Sequence, residues 1–271
     1  MNQIRLISIL LLVFMVGCSH VAGTGRSQLN MVSPAQEAEL GAEAFNEATA
    51  EVTLITSGPE AEMVRRVGRR IVNAAEVLYP ESMVEDDQWK FVLIDDDSVQ
   101  NAWAAPGGKV AIYTGILPVT KTEAGLAVVM AHEVAHVLAH HSAEQISHAL
   151  LMNGVLSAGS AAMGDSANRA IVMQALGVGG QYGVALPFSR LHEAEADELG
   201  LFLMAEAGYD PRTAIAVWER MGESGSARPP EFMSTHPAPE NRIEEFERLM
   251  PEALDLYHEA ERHRQRAKQS R

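Results

Sequence analysis

The sequence contains little cysteine and little positive charge, and both shortages exclude classes of function. Cys18 is the only cysteine among 271 residues, so the chain cannot form an internal disulfide and offers a metal no other thiolate. The 21 basic residues are outnumbered by 36 acidic ones, which gives a formal net charge of −15. Such an acidic chain is not expected to bind nucleic acid or to attach to membranes through a basic surface. Apolar residues make up 47% of the chain, which is enough for a sizeable core.

Long hydrophobic runs are also lacking. The most apolar stretch, residues 6–16, is too short to cross a bilayer comfortably and has the length of a signal-peptide core. It is followed by Gly17-Cys18, which resembles a bacterial lipobox, where a small residue precedes the cysteine that becomes lipidated. We predict a signal peptide over residues 1–17 and lipidation at Cys18; the alternative is an ordinary signal peptide with an incidental cysteine. Ser19, by resemblance to bacterial sorting rules, favours the outer membrane.

The rest of the chain divides into four segments. The polar residues that follow the cysteine predict a lipidated tether over residues 18–33. Ser33-Pro34 is a typical helix start, with serine as the cap and proline at the first helical position, and it predicts an N-terminal helical extension over residues 34–58. The main domain is predicted over residues 59–250, and a charged, frayed tail over residues 251–271.

The main domain is predicted to be mainly α-helical with a small β-sheet, an α+β fold. Residues 89–94 predict a strand, and Pro106-Gly107-Gly108 predicts the turn of a hairpin between two further strands. Residues 151–187, rich in Ala, Gly and Met, are interpreted as buried or lid-like helices, because neither of their apolar patches has the length of a membrane span. Other helices are predicted over residues 123–150, over 189–207, from 211 and from 239.

The chemistry of the chain is indicated by the pattern His132-Glu133-Val134-Ala135-His136. On a helix, residues four apart lie on one face, so His132 and His136 can both bind one metal ion at about 2.0–2.1 Å. Glu133 lies beside that face, where its carboxylate can take a proton from a water molecule that the metal acidifies. The surrounding helix is apolar nearly all round, and burying these three side chains there is costly unless they have partners. Because this pattern also arises by chance in roughly a few per hundred chains of this length, it indicates a zinc site without proving one.

A third metal ligand is expected, because catalytic zinc usually has three protein ligands and one open position. A metzincin-type third histidine is excluded, since Ala139 and Ser142 occupy the positions that would carry its glycine and histidine. The remaining source is a carboxylate from a later helix, where Glu193 and Asp197 share a face. One of them can bind the metal while the other accepts a hydrogen bond from a ligating imidazole; a solvated acidic face is the alternative.

The zinc pattern is one of four motifs that follow one another in order along the chain. The first is Asn-Ala-aromatic-Ala followed by Pro-Gly-Gly at 101–108, and the second is HExxH at 132–136. The third is SRxxExxAD at 189–197, and the fourth is Thr235-His236-Pro237 followed by Arg242-Ile243. Together these motifs resemble the HtpX-like and BepA-like zinc metallopeptidases, which are HExxH gluzincins related to the CAAX prenyl endopeptidases. The resemblance covers residues 60–250 and is closest to the periplasmic lipoprotein branch of that family.

The resemblance implies a zincin-like metallopeptidase domain with one zinc ion per chain. It implies His132, His136 and Glu193 as zinc ligands, Glu133 as general base, and Asp197 as the partner of a ligand. No part in the chemistry is predicted for four other histidines, namely His140, His141, His148 and His192.

His236 and Arg242 are candidates for a transition-state or a regulatory role. Pro237 biases His236 toward an extended backbone, which projects its ring away from any helix. His236 can donate a hydrogen bond to the oxyanion of the transition state, or it can occupy the open position of zinc and block the enzyme. Resemblance to the periplasmic relatives favours the blocking ligand over the donor, and the alternative to both is a histidine without a role.

The predicted function is that of a zinc metalloendopeptidase in protein quality control. Its substrates would be unfolded or misassembled envelope proteins of the bacterial periplasm, and its lipid anchor would attach it to the inner leaflet of the outer membrane. The hairpin would offer the substrate an edge, at Asn101, Ala102, Gly107 and Gly108, to which an extended chain adds as a strand. The alternatives are an exopeptidase and a non-proteolytic chaperone or assembly factor that works with the outer-membrane assembly machinery.

Overall fold

The computed structural model describes residues 18–82, 84, 88–153, 166–176, 188–223, 231–237 and 239–269. The predicted signal peptide and most of the predicted helical segment 151–187 lie outside these residues. The strands are β1 (Cys18–His20), β2 (Ser27–Leu29), β3 (Leu54–Ile55), β4 (Lys90–Ile94), β5 (Ala102–Ala105) and β6 (Lys109–Tyr113). The helices are α1 (Pro34–Thr49), α2 (Pro59–Leu78), α3 (Leu117–Thr120), α4 (Glu123–Leu138), α5 (His141–Met152), α6 (Ser166–Ala175), α7 (Arg190–Glu206), α8 (Thr213–Glu223), α9 (Glu231–Thr235) and α10 (Arg242–Gln269).

The predicted α+β class is confirmed, with a small sheet beside a larger set of helices. Four strands pair in the order β3-β4-β6-β5, so β5 lies at one edge of this sheet. β4 and β6 are parallel, whereas β5 and β6 form the predicted antiparallel hairpin. The hairpin turns through Gly107 and Gly108, whose φ angles of 71° and 80° are readily adopted only by glycine. Within the described part of the chain, no helix has both the length and the apolarity that crossing a membrane requires.

Helix α4, which carries the zinc pattern, occupies the centre of the core. Every residue from 125 to 138 is buried, as expected of a helix that is apolar on all sides. α4 contacts α2, α7, α8 and strand β5. It lies close to α7 at Gly200, where a Cβ atom would be only 3.1 Å from the backbone nitrogen of His132. A larger residue at position 200 would therefore push apart the two helices that carry the predicted metal ligands.

Two helix starts follow the capping signals in the sequence. Ser33 accepts a hydrogen bond from the backbone N–H of Gln36 and completes a capping box with that residue at the start of α1. Ser189 accepts from the backbone N–H of His192 at 3.2 Å and so caps α7. α7 ends two residues before Gly208, whose φ of 82° confirms the predicted helix stop.

The helix predicted over residues 123–150 is in fact two helices. α4 ends at Leu138, and His140 adopts a left-handed backbone conformation with a φ of 54° before α5 begins. This conformation is uncommon outside glycine, although histidine adopts it more readily than most residues. The ring of His140 is fixed there by Glu37 of α1, since its Nδ1 lies 2.8 Å from the carboxylate. The break sends α5 in a new direction and changes which side chains face the zinc pattern.

The segment predicted as a tether is folded against the domain where the structure describes it. β1 and β2 pair as an antiparallel hairpin, which we call the N-terminal hairpin (residues 18–29). Val21 is only 2% exposed within the main hydrophobic core, and Arg26 forms ion pairs with Glu144 of α5 and Glu195 of α7. The segment predicted as a tether is thus packed against the domain, because one buried apolar side chain and one inserted cation outweigh its polar composition.

The predicted frayed tail is also ordered into helix. α10 continues through residue 251 and ends at Gln269. Ala253 and Ala260 are buried, and the guanidinium of Arg264 donates a hydrogen bond to the backbone oxygen of Glu206 at 2.8 Å. Helices α8 and α10 were predicted to start at Pro211 and Pro239, but they begin a few residues later, at Thr213 and Arg242.

Candidate metal centre

Two histidines of α4 and a glutamate of α7 meet in the core. The Nε2 atoms of His132 and His136 are 3.1 Å apart, because the two residues are one helical turn from each other. Glu193, in the first turn of α7, places its carboxylate oxygens 3.3 Å from the Nε2 of His132 and 3.4 Å from that of His136. All three side chains are almost completely buried, at 2% exposure or less.

His236 adds a fourth donor atom to this group. It follows the short helix α9, and its backbone N–H donates to Phe232 at 2.8 Å, while its ring stacks on the ring of Phe232. Its Nδ1 lies 2.9 Å from Glu193 and 3.3 Å from the Nε2 of His132. The structure thus brings together three of the predicted ligands and the candidate regulatory histidine.

The four side chains fit a single metal ion. Their donor atoms all lie within 4.8 Å of one another and are buried. Two donors bound to a tetrahedral ion at about 2.1 Å would be roughly 3.4 Å apart, which is close to the contacts observed. Imidazole and carboxylate are donors that zinc accepts, and no other described group of His, Cys, Asp or Glu converges in this way. The donor set therefore suits a transition metal such as zinc.

The protonation of the group depends on burial and on the two carboxylates. Burial lowers the pKa of His136 well below its usual value, so its ring is neutral and has a lone pair to offer. Burial would raise the pKa of Glu193, but His236 and His132 hold that pKa well below the usual range. Burial also lowers the pKa of His132, but the carboxylates of Glu193 and Asp197 outweigh this effect and raise the pKa to about 9. A metal ion must displace that proton, so metal binding at this site weakens as the pH falls.

Glu133 lies beside the donor group rather than in it. Its Oε1 is 3.3 Å from the Nε2 of His236, so the two nitrogens of that ring face Glu193 and Glu133. Burial raises the pKa of Glu133, although the neighbouring histidines oppose the shift. A carboxylate with a raised pKa is closer to the value at which general acid–base catalysis is most efficient near neutral pH.

Asp197 and Arg242 contact the predicted ligands on the side that faces away from the donor group. Asp197 lies 3.0 Å from the Nδ1 of His132, whose Nε2 faces the donor group. Arg242, at the start of α10, donates to Asp197 at 2.5 Å and to Glu193 at 2.9 Å, and its guanidinium lies 3.7 Å above the ring of Trp218. The two carboxylates, whose spacing in the sequence fits either role, are thus separated: Glu193 faces the donor group, and Asp197 faces the outer nitrogen of a histidine.

His141 contacts a predicted ligand, although the sequence predicts no part in the chemistry for this histidine. Its Nδ1 is 2.8 Å from the Nδ1 of His136, and its Nε2 is 2.9 Å from Glu195. In one continuous helix a residue five positions after His136 would be turned about 140° away from it. The break at His140 brings the ring back, and no spacing in the sequence shows this. His192 is also buried, beside Glu144, whereas His148 is exposed.

The predicted substrate edge is only partly at the site. A cavity beside Glu133 and His236 is lined by Asn101 and by Trp103, Ala104 and Ala105 of β5. Ala102 is completely buried and does not line this cavity. Gly107 and Gly108 do not line this cavity. A Cβ atom at Gly107 would meet Ala38 of α1 at 2.9 Å, and one at Gly108 would meet the ring of Trp89. These two glycines serve the turn and its packing.

The site defines the class of protein. Two histidines and a glutamate on one buried helix, with a carboxylate beside them from a second helix, are the arrangement of a metallopeptidase centre of the HExxH type. Residues 60–250 match the Peptidase family M48, and the chain belongs to this family. The family resemblance noted from the four motifs is thereby confirmed, whereas the periplasmic lipoprotein branch stays a prediction.

Curated relatives include proteins from mitochondria and from bacteria. The chain is 36% identical to the mitochondrial metalloendopeptidase OMA1 of Schizosaccharomyces pombe over 253 residues, which are 89% of this chain and 70% of the relative. It is 32% identical to the protein of the same name from Saccharomyces cerevisiae over 75% of this chain and 59% of the relative. It is 28% identical to the beta-barrel assembly-enhancing protease of Escherichia coli over 81% of this chain and 45% of the relative. The chain thus spans between 45% and 70% of the length of these three relatives.

Proposed function

We propose that the protein is a zinc-dependent metalloendopeptidase in which His132, His136 and Glu193 hold the metal. The observation that carries the proposal is the convergence of their donor atoms in the core, with Glu133 beside them. Membership of family M48 and the names of the relatives support proteolysis as the activity. Zinc is favoured because two imidazoles and one carboxylate are a frequent ligand set of catalytic zinc.

Each residue of the site has its own proposed role in peptide hydrolysis. A bound zinc ion supplies Lewis acidity, which polarises a peptide carbonyl and makes a water molecule acidic near neutral pH. Glu133 accepts the proton of the attacking water and later delivers it to the leaving amine. Asp197 and Arg242 keep His132 and Glu193 in position, since both make short charged hydrogen bonds inside the core.

We also propose that His236 holds the site in a closed state. A catalytic zinc ion needs one open position, but His236 presents a fourth donor to the same point and lies against Glu133 with its other nitrogen. Movement of His236 would free both the fourth position and the general base. This arrangement supports the blocking ligand over the oxyanion donor, because a donor to the transition state would not need to occupy the ligand group.

The edge strand β5 is the proposed binding site for substrate. It borders the cavity beside Glu133, and an extended peptide can add to such an edge through backbone hydrogen bonds. This mode recognises backbone rather than particular side chains, which suits unfolded proteins as substrates.

The proposed place of action is the bacterial periplasm, at the inner leaflet of the outer membrane. The support is the lipobox-like sequence at Cys18 and the similarity to a bacterial protease whose name refers to β-barrel assembly. Unfolded or misassembled envelope proteins are the proposed substrates, and the outer-membrane assembly machinery is the proposed partner. A second candidate function, a non-proteolytic assembly factor, is favoured by the closed arrangement of His236.

The decisive experiment is casein digestion and metal analysis with wild type beside Glu133→Gln. Glutamine has nearly the same shape but cannot accept the proton, so this variant should keep about one zinc per chain and lose about 10²–10⁴-fold in rate. Glu219→Gln is the matched control, since Glu219 is an exposed residue of α8 and should keep full activity. Cleavage by Glu133→Gln at the wild-type rate would exclude Glu133 as the base, and a zinc-loaded wild type without any cleavage would favour the assembly factor.

A further inference from the structure

A line of hydrogen-bonded side chains connects one metal ligand to the N-terminal hairpin. It starts at the outer nitrogen of His136, whose Nδ1 is 2.8 Å from the Nδ1 of His141. The Nε2 of His141 is 2.9 Å from an oxygen of Glu195, and the same oxygen accepts from the Nε of Arg26 at 2.8 Å. The line therefore joins α4, α5, α7 and the N-terminal hairpin, which are far apart in the chain.

The direction of each hydrogen bond follows from the metal ligand. If His136 binds the metal through Nε2, its remaining ring proton must be on Nδ1 and is donated to His141. His141 then accepts at Nδ1 and carries its own proton on Nε2, which it donates to Glu195. Glu195 is ionised and accepts from Arg26, so every proton has one place. If either ring carried its proton on the other nitrogen, the two facing Nδ1 atoms would have two protons or none between them, and no hydrogen bond could form.

Several hydrogen bonds attach the N-terminal hairpin to Glu144 and Glu195 at its end of the line. The guanidinium of Arg26 makes two parallel hydrogen bonds to Glu144, at 3.0 and 2.8 Å, besides the one to Glu195. The hydroxyl of Thr24 donates to the second oxygen of Glu195. Gly23, with a φ of 88°, lets the hairpin approach Tyr79 and Leu199, since a Cβ atom there would lie 2.7 Å from both side chains.

Burial shows that the line is shielded from water along its length. His141 is completely buried, and the side chain of Glu195 is 4% exposed, that of Glu144 is 7% exposed and that of Arg26 is 18% exposed. In such surroundings an unpaired carboxylate is costly, so Glu195 and Glu144 need Arg26 in place. Without it, Glu195 would be free to turn away from His141, and His141 would no longer fix the ring of His136.

We propose that His141, Glu195 and Arg26 are positioning residues of the metal site, through which docking of the N-terminal hairpin strengthens zinc binding by His136. The inference rests on His136 as a zinc ligand, as in the proposed function. It assigns a part in metal binding to a segment that lies more than a hundred residues before the metal ligands. Partners that orient a metal-bound histidine typically change metal affinity or activity about ten- to hundredfold when they are mutated.

The test measures zinc affinity in the full-length chain by competition with a chromophoric chelator. His141→Leu removes both hydrogen bonds of the ring, and it should weaken zinc binding about ten- to hundredfold. His141→Gln has an oxygen that can accept from His136 and an N–H that can donate to Glu195, so it should restore most of the affinity. The absorption spectrum of the cobalt-substituted protein should shift in His141→Leu and stay near that of wild type in His141→Gln.

The contribution of the hairpin is tested with Arg26→Gln and a matched control. Arg66→Gln removes another arginine–glutamate ion pair, a more exposed one, because Arg66 donates to Glu123 of α4 at 2.6 Å, at the end of the helix remote from the metal ligands. Arg26→Gln should weaken zinc binding, whereas Arg66→Gln should leave it unchanged. Melting temperatures with the metal removed report whether each variant folds; if Arg26→Gln does not fold, the two His141 variants decide the proposal.

Two results would overturn the inference. One is a zinc affinity of His141→Leu equal to that of wild type, and the other is an equal loss in Arg26→Gln and Arg66→Gln, which would indicate general destabilisation. These failures are distinct from failure of the proposed function, which would appear as a wild-type protein that binds no zinc or does not cleave casein.

Discussion

Arg242→Met tests whether the carboxylates of the metal site depend on one buried cation. Methionine keeps the length and apolar bulk of the side chain but removes the guanidinium. The change deletes the hydrogen bonds to Asp197 at 2.5 Å and to Glu193 at 2.9 Å, together with the stacking over Trp218. It leaves the buried carboxylates of Asp197 and Glu193 without their arginine partner.

The magnitude follows from burial. The side chain of Arg242 is only 4% exposed and those of its partners are 8% exposed or less, so solvent cannot replace the lost contacts. Breaking a buried ion pair by removing one partner costs about 3–5 kcal/mol of unfolding free energy. For a domain of 150–250 residues each kcal/mol lowers Tm by about 2–4 °C, so we expect a decrease of roughly 6–20 °C.

The assay is thermal unfolding followed by circular dichroism, with zinc at saturating concentration in every sample. Arg212→Met is the control, because Arg212 makes hydrogen bonds to Asp210 at 2.5–3.0 Å with a side chain that is 65% exposed. Exposed ion pairs contribute little to stability, so the Tm of this variant should stay close to that of wild type. Equal Tm values for Arg242→Met, Arg212→Met and wild type would refute the reasoning from burial.

Three further predictions concern the metal, the closed state and the anchor. Glu193→Ala should reduce zinc content well below one ion per chain by mass spectrometry, and unchanged zinc occupancy would exclude Glu193 as a ligand. His236→Ala should increase cleavage of an unfolded substrate at equal zinc content; a decrease of about 10²–10³ would instead assign an oxyanion donor, and wild-type activity would leave His236 without a role. Cys18→Ser should release the protein from membrane fractions, and a variant that still sediments with membranes would show that another group anchors it.

Helix-scale features could be predicted from the sequence because they depend on neighbours within a few residues. The four-residue spacing of His132 and His136 places both rings on one face of any helix, and the apolar residues around them require that helix to be buried. The capping serines at 33 and 189 and the stop at Gly208 follow from the same local rules. The β5–β6 hairpin was equally local, since its turn needs two glycines at positive φ.

The family resemblance implied Glu193 as a ligand and Asp197 as the partner of one, but only the tertiary structure shows the contacts that separate the two carboxylates. Both carboxylates lie on one face of α7, so their spacing in the sequence fits either role. Close packing of α7 against α4 at Gly200 decides the matter, because it brings Glu193 to the Nε2 atoms and Asp197 to the outer nitrogen of His132. The distance and relative position of two packed helices depend on the side chains of both helices. Neither helix shows this in the periodic pattern of its own sequence.

The sequence by itself thus determined the zinc helix, the class of fold and the family resemblance, all of which rest on local motifs and periodicity. Only the tertiary structure decided the surroundings of the metal site. His141 reaches His136 because the backbone turns at His140, and Arg26 reaches Glu195 across 169 positions of the chain. Contacts between residues so distant in sequence depend on how whole elements pack, whereas the composition of the N-terminal segment predicted only a tether.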